Sequence, residues 1–218
     1  MKIVLFIAAL AVVFSSQSQY SYYFAEPLPS ASDQVENVAE KYFGSYKTKD
    51  GTLTYKFDAE GVTIISTTIG SISKATVRES ANYTVRNGYL FGVEKNDSVP
   101  CILEDGFYFF GVRNFDIYVG AGSKNVLTKT STPGEYVLNE FENGRYIPII
   151  FRFNGRKLEI AHFDYEGESA SEFDYVESKE ELPMDGLKLI ILKPETTDYE
   201  RIASQAFVGD MELKRTSR

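Results

Sequence analysis

Between residues 45 and 163 the chain alternates apolar and polar positions. Leu53, Tyr55 and Phe57 interleave with Thr54, Lys56 and Asp58, and Tyr83 and Val85 with Asn82, Thr84 and Arg86. A period of two sends successive side chains to opposite faces, so it predicts strands with one buried side. Six dipeptides punctuate the pattern: Asp50-Gly51, Asn87-Gly88, Asp105-Gly106, Asn143-Gly144, Asn154-Gly155 and Asp185-Gly186. Such pairs supply the positive φ angles of tight hairpin turns. The density of these turns predicts an antiparallel meander of roughly eight to ten strands. A βαβ fold is disfavoured, because no helix-length segment separates the strands.

Three runs are apolar on both faces of a strand: 107–110, 147–153 and 187–192. They predict strands buried on both faces, inside a closed barrel or between two layers. Pro148 interrupts the second run, which points to an edge or a bulge. Two segments carry a helical period instead. Val35, Val38, Ala39 and Tyr42 predict a short helix over 32–43, capped by Ser30 or Ser32 and ended by Gly44. Tyr199, Ile202, Ala203 and Ala206 predict another over 197–207, capped by Thr196 or Thr197. The expected fold is all-β, an up-and-down meander or β-barrel with a short helix at each end; a β-sandwich is the alternative.

The N-terminus reads as a secretory signal. Lys2 is followed by twelve apolar residues, 3–14, and by small residues at Ser16 and Ser18, so cleavage is expected after about Ser18. The run is too short for a stable bilayer anchor, and no stable membrane insertion is expected. Residues 19–31 form an aromatic, proline-containing leader in which Tyr20, Tyr22, Tyr23 and Phe24 suit packing on a sheet edge. A single domain then spans 32–213, followed by a basic tail, 214–218. Residues 164–185 are rich in acids and read as a solvated loop, and a short strand is expected from Met211.

Composition narrows the function. The chain has 218 residues, with 23 Lys and Arg against 31 Asp and Glu. That balance argues against nucleic acids, whose phosphates need clustered cations, and against anionic membranes. One cysteine and one histidine exclude a disulfide framework and any site needing two of either. Cys101, between Val99-Pro100 and Ile102-Leu103, reads as a buried small hydrophobe.

A helix entering a meander at Gly44-Ser45-Tyr46, with a helix after the last main strand, resembles the lipocalin plan. Tyr46 stands where lipocalins carry Trp in their Gly-x-Trp motif. The family's Thr-Asp-Tyr motif recurs as Thr197-Asp198-Tyr199, but too late in the chain to correspond. The resemblance implies an eight-stranded barrel with an apolar cup for a small ligand.

Catalytic chemistry has little support. His162, with Asp164 two residues on, is the only candidate imidazole base, and no Gly-x-Ser-x-Gly elbow accompanies it. A Cys101–His162 dyad is disfavoured, since apolar surroundings raise a thiol's pKa. Paired carboxylates for glycoside hydrolysis carry no signal among 31 acids. Asp164, Glu166 and Glu168 resemble the start of a Ca²⁺ loop, but Tyr175 stands where such a loop needs its terminal Glu. No cofactor or metal is called for. Asn82 and Asn96 head N-glycosylation sequons, relevant in a eukaryotic host; Asn82 is expected on a strand and Asn96 in a turn.

The leading expectation is a secreted, non-enzymatic binding protein with a small hydrophobic ligand held in a barrel. Its candidate lining is Tyr55, Phe57, Tyr89, Phe91, Phe109 and Phe151. The alternative is a secreted protein-interaction or structural module whose aromatics form a dry core and whose partner is a protein. A hydrolase using His162 is the third reading.

Overall fold

The computed structural model describes residues 19–93, 98–164, 166–167, 172–177, 179–184 and 187–217; the expected signal segment and Asn96 lie outside them. The elements are β1 (Gln19–Phe24), β2 (Gly44–Lys47), β3 (Leu53–Asp58), β4 (Gly61–Ser73), α1 (Lys74–Glu79), β5 (Thr84–Arg86), β6 (Tyr89–Phe91), β7 (Ser98–Glu104) and β8 (Phe107–Val119). They continue with β9 (Val126–Lys129), β10 (Glu135–Glu142), β11 (Arg145–Asn154), β12 (Lys157–Phe163), β13 (Glu166–Gly167), β14 (Lys179–Met184), β15 (Leu187–Leu192), α2 (Tyr199–Gln205) and β16 (Phe207–Ser217).

All strands join one sheet, ordered β14-β15-β1-β11-β12-β16-β2-β3-β4-β8-β7-β6-β5, with β10 and then β9 on the other side of β11. Pairing is antiparallel except between β1 and β15, so the sheet is mixed. It does not close into the expected barrel, because β9 pairs only with β10 and β5 only with β6. The free side of β9 is instead met by residues 34 and 35: Gln34 bridges Thr128, and the Val35 amide donates to the Leu127 carbonyl at 2.8 Å.

The body of the sheet curves around one core. Tyr46, Phe57, Val62, Leu138, Phe151 and Leu213, from six different strands, belong to a single buried cluster. The other face of β10, β11 and β12 is covered as well. Val137, Ile150 and Ala161 pack there against Tyr22 and Phe24 of β1, Ile190 and Leu192 of β15, and Ile202 of α2. Residues 148–151 and 153 of β11 and 189–192 of β15 are therefore buried, as expected for two of the three apolar runs. The leader aromatics do more than cover an edge, since β1 is hydrogen-bonded into the sheet between β15 and β11.

Several sequence expectations are corrected. Residues 32–43 form no helix but two 3-10 turns, Ala31–Asp33 and Glu40–Tyr42, with extended chain between them. A lone 12-residue helix is marginal in water, and here the open side of β9 offers hydrogen bonds in its place. Val38 still reaches the core, with Val35 and Tyr42 packed beside it. Ser30 does cap, accepting from the Ser32 amide, whereas a Glu195/Asp198 capping box, not a threonine, starts the 3-10 turn Thr196–Asp198 that leads into α2. Pro148 lies in a central strand. β11 pairs with β1 at Tyr146 and with β12 from Ile149, so the proline sits in the gap between them, where no donor is needed. The acidic segment contains β13 and β14 and buries Phe173 and Val176. Lys214 and Arg215 belong to β16, a long strand in place of a short one and a tail.

β4 and β8 are each 13 residues long and pair from Val62–Val119 to Ser73–Phe107. Only their inner ends reach the core, and β3 accompanies β4 no further than Ser66. Beyond that point they form an arm, widened by β7, β6 and β5 through turns at Asp105-Gly106 and Asn87-Gly88. Both turns have positive φ at both central residues, as a two-residue hairpin of matching twist requires.

Candidate functional site

The six aromatics read from the sequence as a cavity lining fall into two groups. Tyr55, Phe57 and Phe151 are buried in the body. There they fill space with rings: Phe57 has Tyr46, Tyr55, Phe151 and Phe153 around it, at centroid distances of 5.7, 6.5, 5.6 and 5.1 Å. Three of these four contacts are edge-to-face, the geometry ring quadrupoles favour. Tyr89, Phe91 and Phe109 lie elsewhere, on the arm, and are exposed.

The cross-strand register decides which arm residues share a face, because residues paired in neighbouring strands point the same way. Ile65 pairs with Phe115 and Ile69 with Gly111, Ile102 with Phe109, Tyr89 with Pro100, and Phe91 with Ser98. One face therefore carries Ile69, Phe107, Phe109, Phe115, Ile117, Ile102, Tyr89 and Phe91. These are eight of the ten large hydrophobic residues exposed among those described. The first is 82% exposed, Ile102 73%, Phe115 63% and Ile117 61%. The other face of the arm holds Leu90 and Val99, both buried, and half-buried Cys101 and Phe110. The arm is thus a sheet whose inner face is partly packed, with Leu103 exposed on it, and whose outer face is exposed along its length.

This corrects the reading of 107–110 as buried on both faces and of Cys101 as fully buried. Burial still raises the Cys101 thiol pKa. Cys101 on β7 is not brought to His162 on β12, since β8, β4, β3, β2 and β16 lie between them in the sheet. Asn82 is exposed in a bend just before β5, and not on a strand. The outer-face residues Ile69, Ile102, Phe107, Phe115 and Ile117 are not among those singled out from sequence. Their signal was the alternation Phe107, Phe109, Phe115, Ile117 itself, at even spacing along β8.

One titratable group is set apart in the body. Burial raises the Glu140 carboxyl pKa above the usual range, against a hydrogen bond from Tyr118 and the nearby charge of His162, which lower it. Burial, with Glu140 beside it, pushes the Tyr118 phenol up to about 12. Among the described residues no group of three His, Cys, Asp or Glu is placed to hold a metal ion, and no helix is long and apolar enough to cross a membrane. A groove of about 710 Å³ runs between residues 29–35, 129–133 and the start of α2, with Asp33, Lys129 and Glu200 on its walls. It is open and mixes charged and polar groups with Pro29, Val35, Pro133 and Tyr199, unlike the enclosed apolar pocket a hydrophobic ligand needs.

Comparison of the chain with protein-family models, with curated proteins and with solved structures finds no match.

Proposed function

We propose that this chain is a non-enzymatic protein-association module that acts outside the cytoplasm and makes its contact through the outer face of the arm. One observation carries the reading: eight large apolar side chains are exposed together on one face, while the rings of the body are packed on one another. Scattered exposed hydrophobics are ordinary, but a contiguous set marks a contact surface. The N-terminal pattern of Lys2 and the apolar run 3–14 supports secretion.

Native mass spectrometry of protein purified gently from the cells that secrete it tests this reading. The expected result is a protein complex of fixed stoichiometry, lost when Ile69 and Ile102 are replaced by lysine. A monomer carrying a small-molecule adduct, retained in that variant and lost on denaturation, would favour the barrel-ligand reading and overturn this one.

A further inference from the structure

We propose that the partner is a second copy of this chain, with two arms packed face to face about a two-fold axis. The inference rests on the reading of the arm as a protein-contact surface and names its occupant.

Three observations point to self-association. The first is area. At about 200 Å² for a fully exposed large apolar side chain, the eight residues present about 900 Å². That exceeds the 300–600 Å² of the largest patch on a typical monomer and matches the roughly 800 Å² each partner contributes to a stable interface. The second is charge. Residues 65–117 hold five bases and six acids, whereas the whole chain holds 23 and 31. Contact through the arms joins two nearly neutral regions and keeps the acidic bodies apart. The third is complementarity. Arg113 and Glu104 stand on the same outer face, both exposed, and among the described residues neither has an ion-pair partner.

A single axis sets six of the eight side chains against the other arm, with Phe115 and Ile117 toward its tip, and brings the complementary charges together. Phe109 and Gly111 are successive outer-face positions on β8. An axis in the interface, running across the strands midway between them, sets Phe109 of each copy over Gly111 of the other, where no side chain stands. Glu104 pairs with Phe107 across β7 and β8, so the same axis brings Arg113 of each copy over Phe107 and beside Glu104 of the other. Packed sheets lie about 10 Å apart, within reach of both side chains.

The test is sedimentation velocity of the purified full chain over a concentration series. A dimer is expected, and the double variant Ile69→Lys/Ile102→Lys should raise its dissociation constant at least about 100-fold, as loss of central anchors does. Arg113→Glu and Glu104→Arg should each weaken it about tenfold or more, and the two together should restore most of the affinity. These two residues are exposed, so the exchange tests the axis without touching a core; circular dichroism checks that each variant stays folded. A monomer at every concentration, a dimer indifferent to all four substitutions, or a double exchange that fails to rescue would each overturn the proposal. If the monomer instead forms a complex with a different protein that Ile69→Lys/Ile102→Lys abolishes, the association reading stands and only the second copy fails. A monomer that co-floats with phosphatidylcholine vesicles and binds no protein would remove both.

Discussion

Replacing Asn139 with leucine should cost this protein about 2–4 kcal/mol, although the two side chains are nearly the same size. Asn139 is fully buried on β10. Its amide treats residue 28 as a neighbouring strand would: Oδ1 accepts from the Leu28 amide at 2.8 Å, and Nδ2 donates to the Leu28 carbonyl at 2.9 Å. Thr128 Oγ1 donates to the same carbonyl. With leucine at 139 the carbonyl keeps the threonine, but the Leu28 N–H is left buried with no acceptor. An orphaned buried donor costs about 1–3 kcal/mol, and the second lost bond adds about 1 kcal/mol. For a chain of this size each kcal/mol lowers the melting temperature by about 2–4 °C, so a fall of about 4–16 °C is expected. Urea and thermal unfolding followed by circular dichroism measure it. Hydrogen exchange adds a local reading, since the Leu28 amide should lose protection while amides of β3 keep theirs. A loss below about 0.5 kcal/mol, or a Leu28 amide as protected as before, would refute the idea that this side chain anchors the leader.

Other substitutions probe other parts of the fold. Gly61 has φ +128°, and a Cβ there would stand 1.9 Å from the Val119 carbonyl oxygen; Gly61→Ala should cost about 3 kcal/mol or more in urea unfolding, through strain and clash together. The Tyr199 hydroxyl donates to Glu135 at 3.1 Å while Arg152 Nε holds the same carboxylate at 2.8 Å, so Tyr199→Phe should cost about 1–2 kcal/mol by the same assay. Glu140 has a raised pKa in the folded protein. The folded state therefore keeps its proton to higher pH than the unfolded chain does, and stability falls as pH rises from the ordinary carboxylate range through the folded pKa. Glu140→Gln should flatten that part of the stability–pH curve, and an unchanged slope would contradict the assignment.

Much of this architecture was legible in the sequence because its cues are local. Asn87-Gly88, Asp105-Gly106 and Asn143-Gly144 each adopt the positive φ angles that their residue types favour. Tyr199 and Ile202 of the apolar stripe lie buried on the helix expected of them, with Ala206 buried at its C-cap. Where reading failed, a distant partner decided the outcome. Val35 and Val38 fit a helical stripe, yet they lie on extended chain because β9, some ninety residues later, presents an open side at Leu127 and Thr128. Closure of a barrel depends on which strand meets which at the two ends of a sheet, and alternation within strands carries no such information. The candidate residues divided for the same reason. Phe57 and Phe109 each follow another aromatic by two positions, Tyr55 and Phe107, but one sits where the sheet curves around a core and the other where β4 and β8 have left it.

The contrast between 107–110 and 147–153 carries the argument about function. Both runs put apolar residues on both faces of a strand, and both predict a strand between two layers. In β11 the chain supplies both: the curved sheet on one side, and β1, β15 and α2 on the other. In β8 it supplies one in part, and on the outer face Phe107, Phe109, Phe115 and Ile117 stay exposed among the described residues. An apolar sheet face is stable only against another layer. A sequence that writes the same two-sided pattern into both strands and folds a second layer over only one of them leaves the other to be completed from outside, and another arm has the size, the charge balance and the alternation to complete it.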